Sequence, residues 1–199
     1  MLVVAILEGA MKDNRKSRLW QTLSTRQVFE AHPWIGVYRD EVRLPSGRVV
    51  DDFYRVSLPM FVMIYAQHDN KTVLFEKKYE HAIQKVCYAL PAGCIDEGEA
   101  PINAAKRELL EETGYMADKW IFVGSFYMDS NRGCGKAYFY KAYNLQKVQD
   151  PLEDDMEEIS LEFAQPENIM KSLFDGNCSI ANIALLAIAT NPLLSDASV

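Results

Sequence analysis

Three glutamates at helical spacing are the residues in this sequence that are best suited to chemistry. Glu108, Glu111 and Glu112 stand at i, i+3 and i+4, so a helix carries them on one face. A helix is predicted here because Pro101 suits a first helical position and Gly114 suits a helix end. Three carboxylates on one face repel one another unless a cation offsets them, and such a cluster suits a hard cation such as Mg²⁺.

The apolar residues of the same helix predict the direction in which the acids point. Ile102, Ala105 and Leu109 recur at i, i+3 and i+7, so they are expected to face a sheet and to turn the acids towards a site. Arg107 is a catalytic candidate, but its position one residue before Glu108 favours a structural role. In that role its guanidinium pairs with acids such as Glu99 and orients the preceding loop.

Composition narrows the class of protein. The chain has 199 residues, 49% of them apolar and 25% charged, which is typical of a soluble globular protein. A formal net charge of -7 argues against nucleic acid as a partner, because a phosphate-binding groove needs a basic surface. The four cysteines have no metal-binding or redox spacing, which is typical of reduced thiols in a cytoplasmic protein.

The N-terminal part of the sequence predicts neither a signal peptide nor a membrane partner. Residues 1–6 are apolar, but no basic segment precedes them and Glu8 soon follows. No stretch approaches the roughly 20 apolar residues that span a membrane. Residues 12–26 are polar and basic, and we expect them to form a loosely attached lead-in.

Alternation of apolar and polar residues predicts the remaining elements. Residues 34–56 predict a β-hairpin around Pro45-Ser46-Gly47, and the only plausible domain boundary follows Val56. We therefore predict a lead-in and hairpin subdomain at 1–57 and a mixed β/α domain at 58–199. The strands of the second domain are predicted at 58–66, 72–79, 86–90, 120–128 and 137–143, and its last two helices at 166–174 and 180–189.

The spacing around the acidic helix resembles the Nudix box, G-x5-E-x7-R-E-U-x-E-E-x-G-U, where U is apolar. The matching residues are Gly93, Glu99 and the run Arg107-Glu108-Leu109-Leu110-Glu111-Glu112-Thr113-Gly114-Tyr115. Only the last position departs from the pattern, because Tyr115 replaces the usual aliphatic residue. The resemblance implies an α+β fold, an α/β/α sandwich with a mixed sheet, preceded here by the N-terminal hairpin.

The resemblance also implies a metal site. The carbonyl of Ala92 and the carboxylates of Glu108, Glu111 and Glu112 would hold Mg²⁺, with Mn²⁺ as an alternative, and Glu111 is also a catalytic candidate. Gly93 would let the backbone approach a pyrophosphate, while Glu99 and Gly114 would be structural members of the motif. A general base is expected on the late acidic loop, where Glu157 is preferred and the competitors are Glu153, Asp155 and Glu158.

Beyond the box, residues 34–189 resemble the ADP-ribose pyrophosphatase branch of the family. In that branch the hairpin exchanges between two subunits of a homodimer, and its aromatic residues stack on the nucleobase. The resemblance implies that Trp34, with Phe53 or Tyr54, contacts the base. The same likeness implies that Arg55 lies near the phosphates or base. The loop at 129–136 is expected near the distal half of the substrate, where Arg132 or Lys136 either contacts a distal phosphate or is solvated. Core packing or a dimer contact is the alternative for each aromatic residue.

These observations predict a Mg²⁺-dependent hydrolase that cuts the pyrophosphate of ADP-ribose or a related nucleoside diphosphate sugar. The products would be a nucleoside monophosphate and a sugar phosphate. One alternative keeps the fold and changes the substrate to GDP-mannose, a dinucleoside polyphosphate or an oxidised nucleotide. Another is a ligand-binding sensor without turnover, which is disfavoured because every acid of the box is present.

Overall fold

The computed structural model describes residues 19–152, 159–174 and 179–191. These residues form two compact units. The first contains the described residues up to Leu58 together with Asp129–Cys134, and the second contains Pro59–Met128 and the described residues from Gly135 onwards.

The first unit is built on an antiparallel sheet of three strands in the order β1-β2-β3. The strands are β1 (Gln21–Ala31), β2 (Ile35–Arg43) and β3 (Val49–Ser57). The predicted hairpin is confirmed as β2 and β3, whose turn is closed by a hydrogen bond from the amide of Leu44 to the carbonyl of Arg48, 2.8 Å. Gly47 adopts a φ of +85° in this turn, a conformation that glycine tolerates best.

The prediction of a loose lead-in is wrong over its last part, because β1 begins at Gln21. Nearly all side chains of β1 are exposed, so the strand lacks the alternation of apolar and polar burial that marks a strand in sequence. Its backbone pairs with β2 along almost its full length. The strand therefore depends on this ladder rather than on a buried face of its own.

The second unit contains a mixed sheet of seven strands. Five of them follow the order β10-β5-β4-β9-β8, while β6 pairs with β5 and β7 pairs with β4. The pairing of β4 with β9 is parallel, and the pairings of β4 with β5 and β7 are antiparallel. The strands are β4 (Phe61–Gln67), β5 (Val73–Glu80), β6 (Lys85–Ala89), β7 (Ala92–Cys94), β8 (Tyr115–Asp129), β9 (Cys134–Lys147) and β10 (Ser160–Ala164).

Helices cover both faces of this sheet, which confirms the α/β/α sandwich. The helices are α1 (Pro101–Thr113), α2 (Pro166–Phe174) and α3 (Ile180–Thr190). Strand β4 is buried on both faces, as its apolar sequence predicts. Val62 and Ile64 pack with Leu109 of α1 on one face, whereas Met63 and Tyr65 belong to the cluster that contains residues of α2 and α3 on the other.

Helix α1 begins and ends where its sequence predicts. Pro101 occupies the first turn, and Gly114 ends the helix with a φ of +72° while its amide bonds the carbonyl of Leu110 at 2.8 Å. A Cβ at Gly114 would lie 2.1 Å from the carbonyl oxygen of Gln149, so glycine is also required sterically. Strand β8 starts directly after this glycine, earlier than predicted.

Among the described residues, no helix combines the length and the apolar character needed to cross a membrane.

Candidate active site

Helix α1 presents its acids at the edge of a well-packed apolar face. Ala104, Ala105 and Leu109 are fully buried against the sheet, which anchors the helix along its length. Beside this face, the side chains of Glu108 and Glu112 are largely buried, with only 12% and 14% of their surface exposed. The half-exposed carboxylate belongs to Glu111. The three acids therefore differ in burial, although the sequence pattern does not distinguish them.

Glu108 and Glu112 converge on the backbone of β7. The amide of Ala92 donates a hydrogen bond to Oε2 of Glu112 at 3.1 Å. A Cβ on Gly93 would lie only 2.1 to 2.3 Å from the carboxyl group of Glu108, so the absence of a side chain makes room for this carboxylate. Glu108 and Glu112, which are one helical turn apart, thus both contact the short strand β7.

Arg107 joins the loop before the helix to two of the acids. Its Nε and Nη2 donate to the two carboxylate oxygens of Glu99 at 3.1 and 2.9 Å, which is the pairing that the spacing predicts. Nη1 donates to Glu108 at 2.8 Å and to Glu111 at 3.1 Å, and Nη2 also reaches the carbonyl of Cys94. The guanidinium therefore binds both the loop and the helix and fixes their orientation.

The loop before α1 is also held by hydrogen bonds between its own residues. The amide of Glu99 bonds the carbonyl of Asp96 at 3.0 Å, and the amide of Asp96 bonds the carboxylate of Glu99 at 3.1 Å. The hydrogen bond from Arg107 holds the pKa of Glu99 below its ordinary value. Glu99 is accordingly a stable carboxylate that anchors Arg107.

Two residues of β5 that the sequence analysis did not single out lie beside the acids. Glu76 is fully buried, and its Oε2 is 3.5 Å from Nζ of Lys78. The same Nζ is 3.9 Å from Oε1 of Glu112. A signal for them exists in the sequence, because an acid and a base stand two residues apart after the apolar run Val73–Phe75.

The electrostatics of this cluster show an excess of negative charge. Burial and, next, the charge of Glu76 raise the pKa of Glu112 to about 9, while Lys78 opposes them. Burial also raises the pKa of Glu108, against the effect of Arg107. Burial thus favours the neutral forms of Glu108 and Glu112, and a bound divalent cation would favour their charged forms.

The donors present fit such a cation. Carboxylate and backbone carbonyl oxygens are the ligands that Mg²⁺ and Mn²⁺ prefer. Within residues 19–152, 159–174 and 179–191, no three acidic, histidine or cysteine side chains already form a metal cage. Arg107 forms ion pairs with Glu108 at 2.8 Å and with Glu111 at 3.1 Å.

A separate pocket lies within the first unit. It has a volume of about 610 Å³ and is lined by Trp20, Phe53 and the loop residues Asp129, Ser130, Asn131 and Arg132. The rings of Trp20 and Phe53 meet edge to face, with centroids 5.7 Å apart. The loop is held by the amide of Val56, which donates to the carbonyl of Arg132 at 3.1 Å. Phe53 and Arg132, predicted at different parts of a substrate, thus share one pocket.

Trp20 was missed because it belongs to the segment interpreted as a lead-in. The one signal in the sequence is the residue type, since Trp20 is one of three tryptophans in the chain. Trp34, predicted to contact the base, does not line this pocket and is 67% exposed. Tyr54, the alternative to Phe53, is exposed as well.

Arg55 lies in a charge-balanced cluster of the first unit. Its Nε and Nη2 donate to the two oxygens of Asp40, with the Nη2 bond at 3.0 Å, and the hydroxyl of Thr25 donates to Asp40 at 2.8 Å. Arg55 also lies over the ring of Tyr38, 5.5 Å from its centroid. The hydrogen bond from Arg55 lowers the pKa of Asp40, which is only 2% exposed.

Of the remaining predicted site residues, Glu157 and its competitors Glu153, Asp155 and Glu158 lie outside the described residues. Lys136, the alternative to Arg132, lies over the rings of Tyr127 and Tyr138 at 5.8 and 5.2 Å.

Comparisons with known proteins show the family of the chain. The family model described as NUDIX domain matches residues 58–177, and the model described as nucleoside diphosphate sugar hydrolase N-terminal domain matches residues 20–56. The first match covers more than half of the chain and contains the acidic helix. The chain therefore belongs to the Nudix family and is a Nudix hydrolase.

Individual relatives resemble most of the chain. A Bacillus subtilis (strain 168) protein named ADP-ribose pyrophosphatase is 29% identical over 143 residues, which are 72% of this chain and 76% of the relative. A Bacillus methanolicus protein named methanol dehydrogenase activator is 28% identical over 81% of this chain and 89% of its own length. A solved structure described as an ADP compounds hydrolase has a TM-score of 0.74 at 20% identity and covers 90% of this chain and 97% of its own, which supports the fold.

Proposed function

We propose that this Nudix hydrolase cuts the pyrophosphate bond of ADP-ribose or a related nucleoside diphosphate sugar with Mg²⁺ as its cofactor. The products are a nucleoside monophosphate and a sugar phosphate. Relatives that carry the name ADP-ribose pyrophosphatase and the match to a nucleoside diphosphate sugar hydrolase N-terminal domain support this substrate class.

The observation that carries the proposal is the convergence of buried acids on the Ala92–Gly93 backbone. Glu108, Glu112 and the carbonyl of Ala92 would hold the divalent ion, with Glu111 at the more exposed side. When bound, a divalent ion neutralises charge that develops on the pyrophosphate and makes a bound water more acidic. Gly93 makes room for the carboxylate of Glu108, and Arg107 keeps the loop and the acids in register.

The pocket of the first unit is the proposed site for part of the nucleotide. Phe53 and Trp20 offer apolar aromatic surface for a base, and Arg132 offers a cation and hydrogen-bond donors. Trp34 remains a proposed base contact that would come from the partner in a dimer, since its ring is exposed. A homodimer is further supported by exposed apolar residues of the same sheet, among them Val28 and Phe29.

The general base is proposed to be Glu157, in the acidic segment between Leu152 and Ile159. An ordered carboxylate within reach of the attacking water would take up its proton. A reducing cytoplasmic environment is also proposed, and it agrees with the free thiols of the described cysteines Cys87, Cys94 and Cys134.

A substrate panel tests the proposal. Purified protein is incubated with Mg²⁺ and ADP-ribose, GDP-mannose or a dinucleoside polyphosphate, and the products are separated by chromatography. We expect AMP and ribose phosphate from ADP-ribose, and a loss of at least about a hundredfold in Glu112→Gln because one metal ligand is neutralised. A wild-type protein inert towards the whole panel would refute the activity, and faster turnover of another compound would replace the substrate.

A further inference from the structure

Glu76 and Lys78 of β5 lie next to the acid cluster without belonging to the Nudix pattern. Residues two apart on a strand point to the same face of the sheet, here the face that α1 covers. Glu76 is paired through the backbone with Ala89 of β6 on one side and Leu161 of β10 on the other, so its position is fixed from both sides. Its side chain is fully buried, and that of Lys78 is 13% exposed.

Lys78 connects two carboxylates. Its Nζ is 3.5 Å from Oε2 of Glu76 and 3.9 Å from Oε1 of Glu112. The other oxygen of Glu112 accepts the hydrogen bond from the amide of Ala92. Glu112 is therefore held from two directions, by the backbone of β7 and by an ammonium group on β5.

Charge explains why this contact matters. Arg107 forms ion pairs with four acids among the described residues, which are Asp96, Glu99, Glu108 and Glu111. Lys78 is the base placed at Glu112, and the charge of Glu76 acts on Glu112 from the buried side. When Glu112 is ionised as a metal ligand, the loss of Lys78 would leave the carboxylates of Glu76 and Glu112 to repel one another in a poorly solvated place, and Glu112 would turn away from the Ala92 backbone.

We propose that Lys78, anchored by Glu76, is a positioning residue that holds the carboxylate of Glu112 in place as a ligand for the divalent ion. The inference rests on the proposed function, because it assumes that the acids of α1 bind a metal. It extends the site to strand β5, beyond the residues of the box. Lys78 acts through Glu112 and needs no contact with the substrate.

Metal binding to Lys78→Met tests this role. Metal-free protein is titrated with Mn²⁺, and free Mn²⁺ is followed by electron paramagnetic resonance, so that no turnover is needed. We expect Mn²⁺ affinity to fall about tenfold, as is typical when the partner of a ligand is removed. The matched control is Lys77→Met, because Lys77 is exposed and lies over the ring of Tyr88. This control is expected to bind Mn²⁺ like the wild type.

The double variant Glu76→Gln/Lys78→Met separates charge from packing. Removing both charges removes the repulsion, so its affinity should return to within about threefold of the wild type. Affinity of Lys78→Met equal to that of Lys77→Met, or a double variant as weak as Lys78→Met, would overturn the proposal. If Lys78→Met does not fold, Lys78→Gln is measured by the same criteria.

The outcome also separates this inference from the proposed function. A wild-type protein that does not bind Mn²⁺ would overturn both. A wild-type protein that binds Mn²⁺ and cleaves ADP-ribose, with Lys78→Met unaffected, would leave the function standing and remove only the role of Lys78.

Discussion

Each unit of the molecule contains an arginine bound to buried carboxylate, and the two clusters differ in their balance of charge. In the first unit Arg55 pairs with one acid among the described residues, Asp40, and its Nε and Nη2 each donate to a different carboxylate oxygen. In the second unit Arg107 is shared by Glu99, Glu108 and Glu111. One cluster is neutral as it stands, whereas the other retains negative charge.

The pKa directions follow this difference. Arg55 lowers the pKa of Asp40, although the residue is almost completely buried. Burial raises the pKa of Glu108 and Glu112, although Arg107 and Lys78 stand beside them. A buried carboxylate therefore marks a candidate site only where the protein's own cations do not neutralise it. Asp40 and Arg55 have the features of a structural pair, and the acids of α1 have those of a cation site.

The largest effect is expected at Gly93. In Gly93→Ala the new methyl group would overlap the carboxylate of Glu108, which lies 2.1 to 2.3 Å from the Cβ position. Glu108 must then move away from β7, so we expect hydrolysis to fall about a hundredfold and Mn²⁺ binding to weaken. The measurements are initial rates with the preferred nucleotide and an Mn²⁺ titration.

Gly98→Ala is the control for Gly93→Ala. A Cβ at Gly98 meets nothing within 4 Å, but the residue has a φ of +78°. The change should cost about 1 kcal/mol of stability and leave Mn²⁺ affinity nearly unchanged. Equal losses of Mn²⁺ affinity in both variants would show that loop strain, and not the displacement of Glu108, causes the effect.

The next effect concerns the stability of the first unit. Arg55→Met leaves Asp40 buried with only Thr25 as a side-chain donor among its described contacts. We expect the free energy of unfolding to fall by about 2 kcal/mol, below the full cost of breaking a buried pair because Arg55 is 43% exposed. Urea denaturation measures it, and Asp40→Asn/Arg55→Met should regain part of the loss. An unchanged stability with a raised KM would instead make Arg55 a substrate contact.

The smallest effect, when it is expressed per pH unit, is a slope of stability with pH that differs in sign between the clusters. Glu112 has its pKa raised from 4.5 to about 9, so the folded metal-free protein holds a proton that the unfolded chain releases. Its contribution is therefore most favourable below pH 4.5 and is lost as pH rises towards 9, by at most about 1.4 kcal/mol per pH unit. Asp40, with a lowered pKa, contributes above its ordinary value of 3.8 and loses this on acidification.

Thermal unfolding in EDTA between pH 5 and 9 measures the slope from Glu112. Glu112→Gln should flatten it, since a glutamine does not titrate in this range. A wild-type slope that persists unchanged in Glu112→Gln would assign the protons to another group.

Much of the fold was predictable because local patterns and tertiary packing agree. The continuous apolar run of β4 becomes a strand buried on both faces, and the capped helix α1 packs through Ala105 and Leu109. Strand β1 was not predicted, because its exposed side chains carry no alternating pattern and its backbone ladder leaves no trace in sequence.

The site was predictable where its residues are close in sequence. Arg107 reaches Glu99 across the loop as its spacing predicts, since a helix sets the positions of its own residues. Trp20 meets Phe53 from 33 positions away, and Lys78 meets Glu112 from 34, through contacts that only the folded sheets create. No local sequence pattern predicts that two such distant residues come into contact.

The sequence by itself determined the family, the acidic helix and the chemical character of its ligands, because those depend on residue types at fixed helical spacing. Only the tertiary structure decided which of the acids are buried, that Gly93 makes room for Glu108, and that strand β5 contributes Glu76 and Lys78. The reason is physical: burial and charge balance depend on which strands become neighbours, and helical spacing does not encode that arrangement.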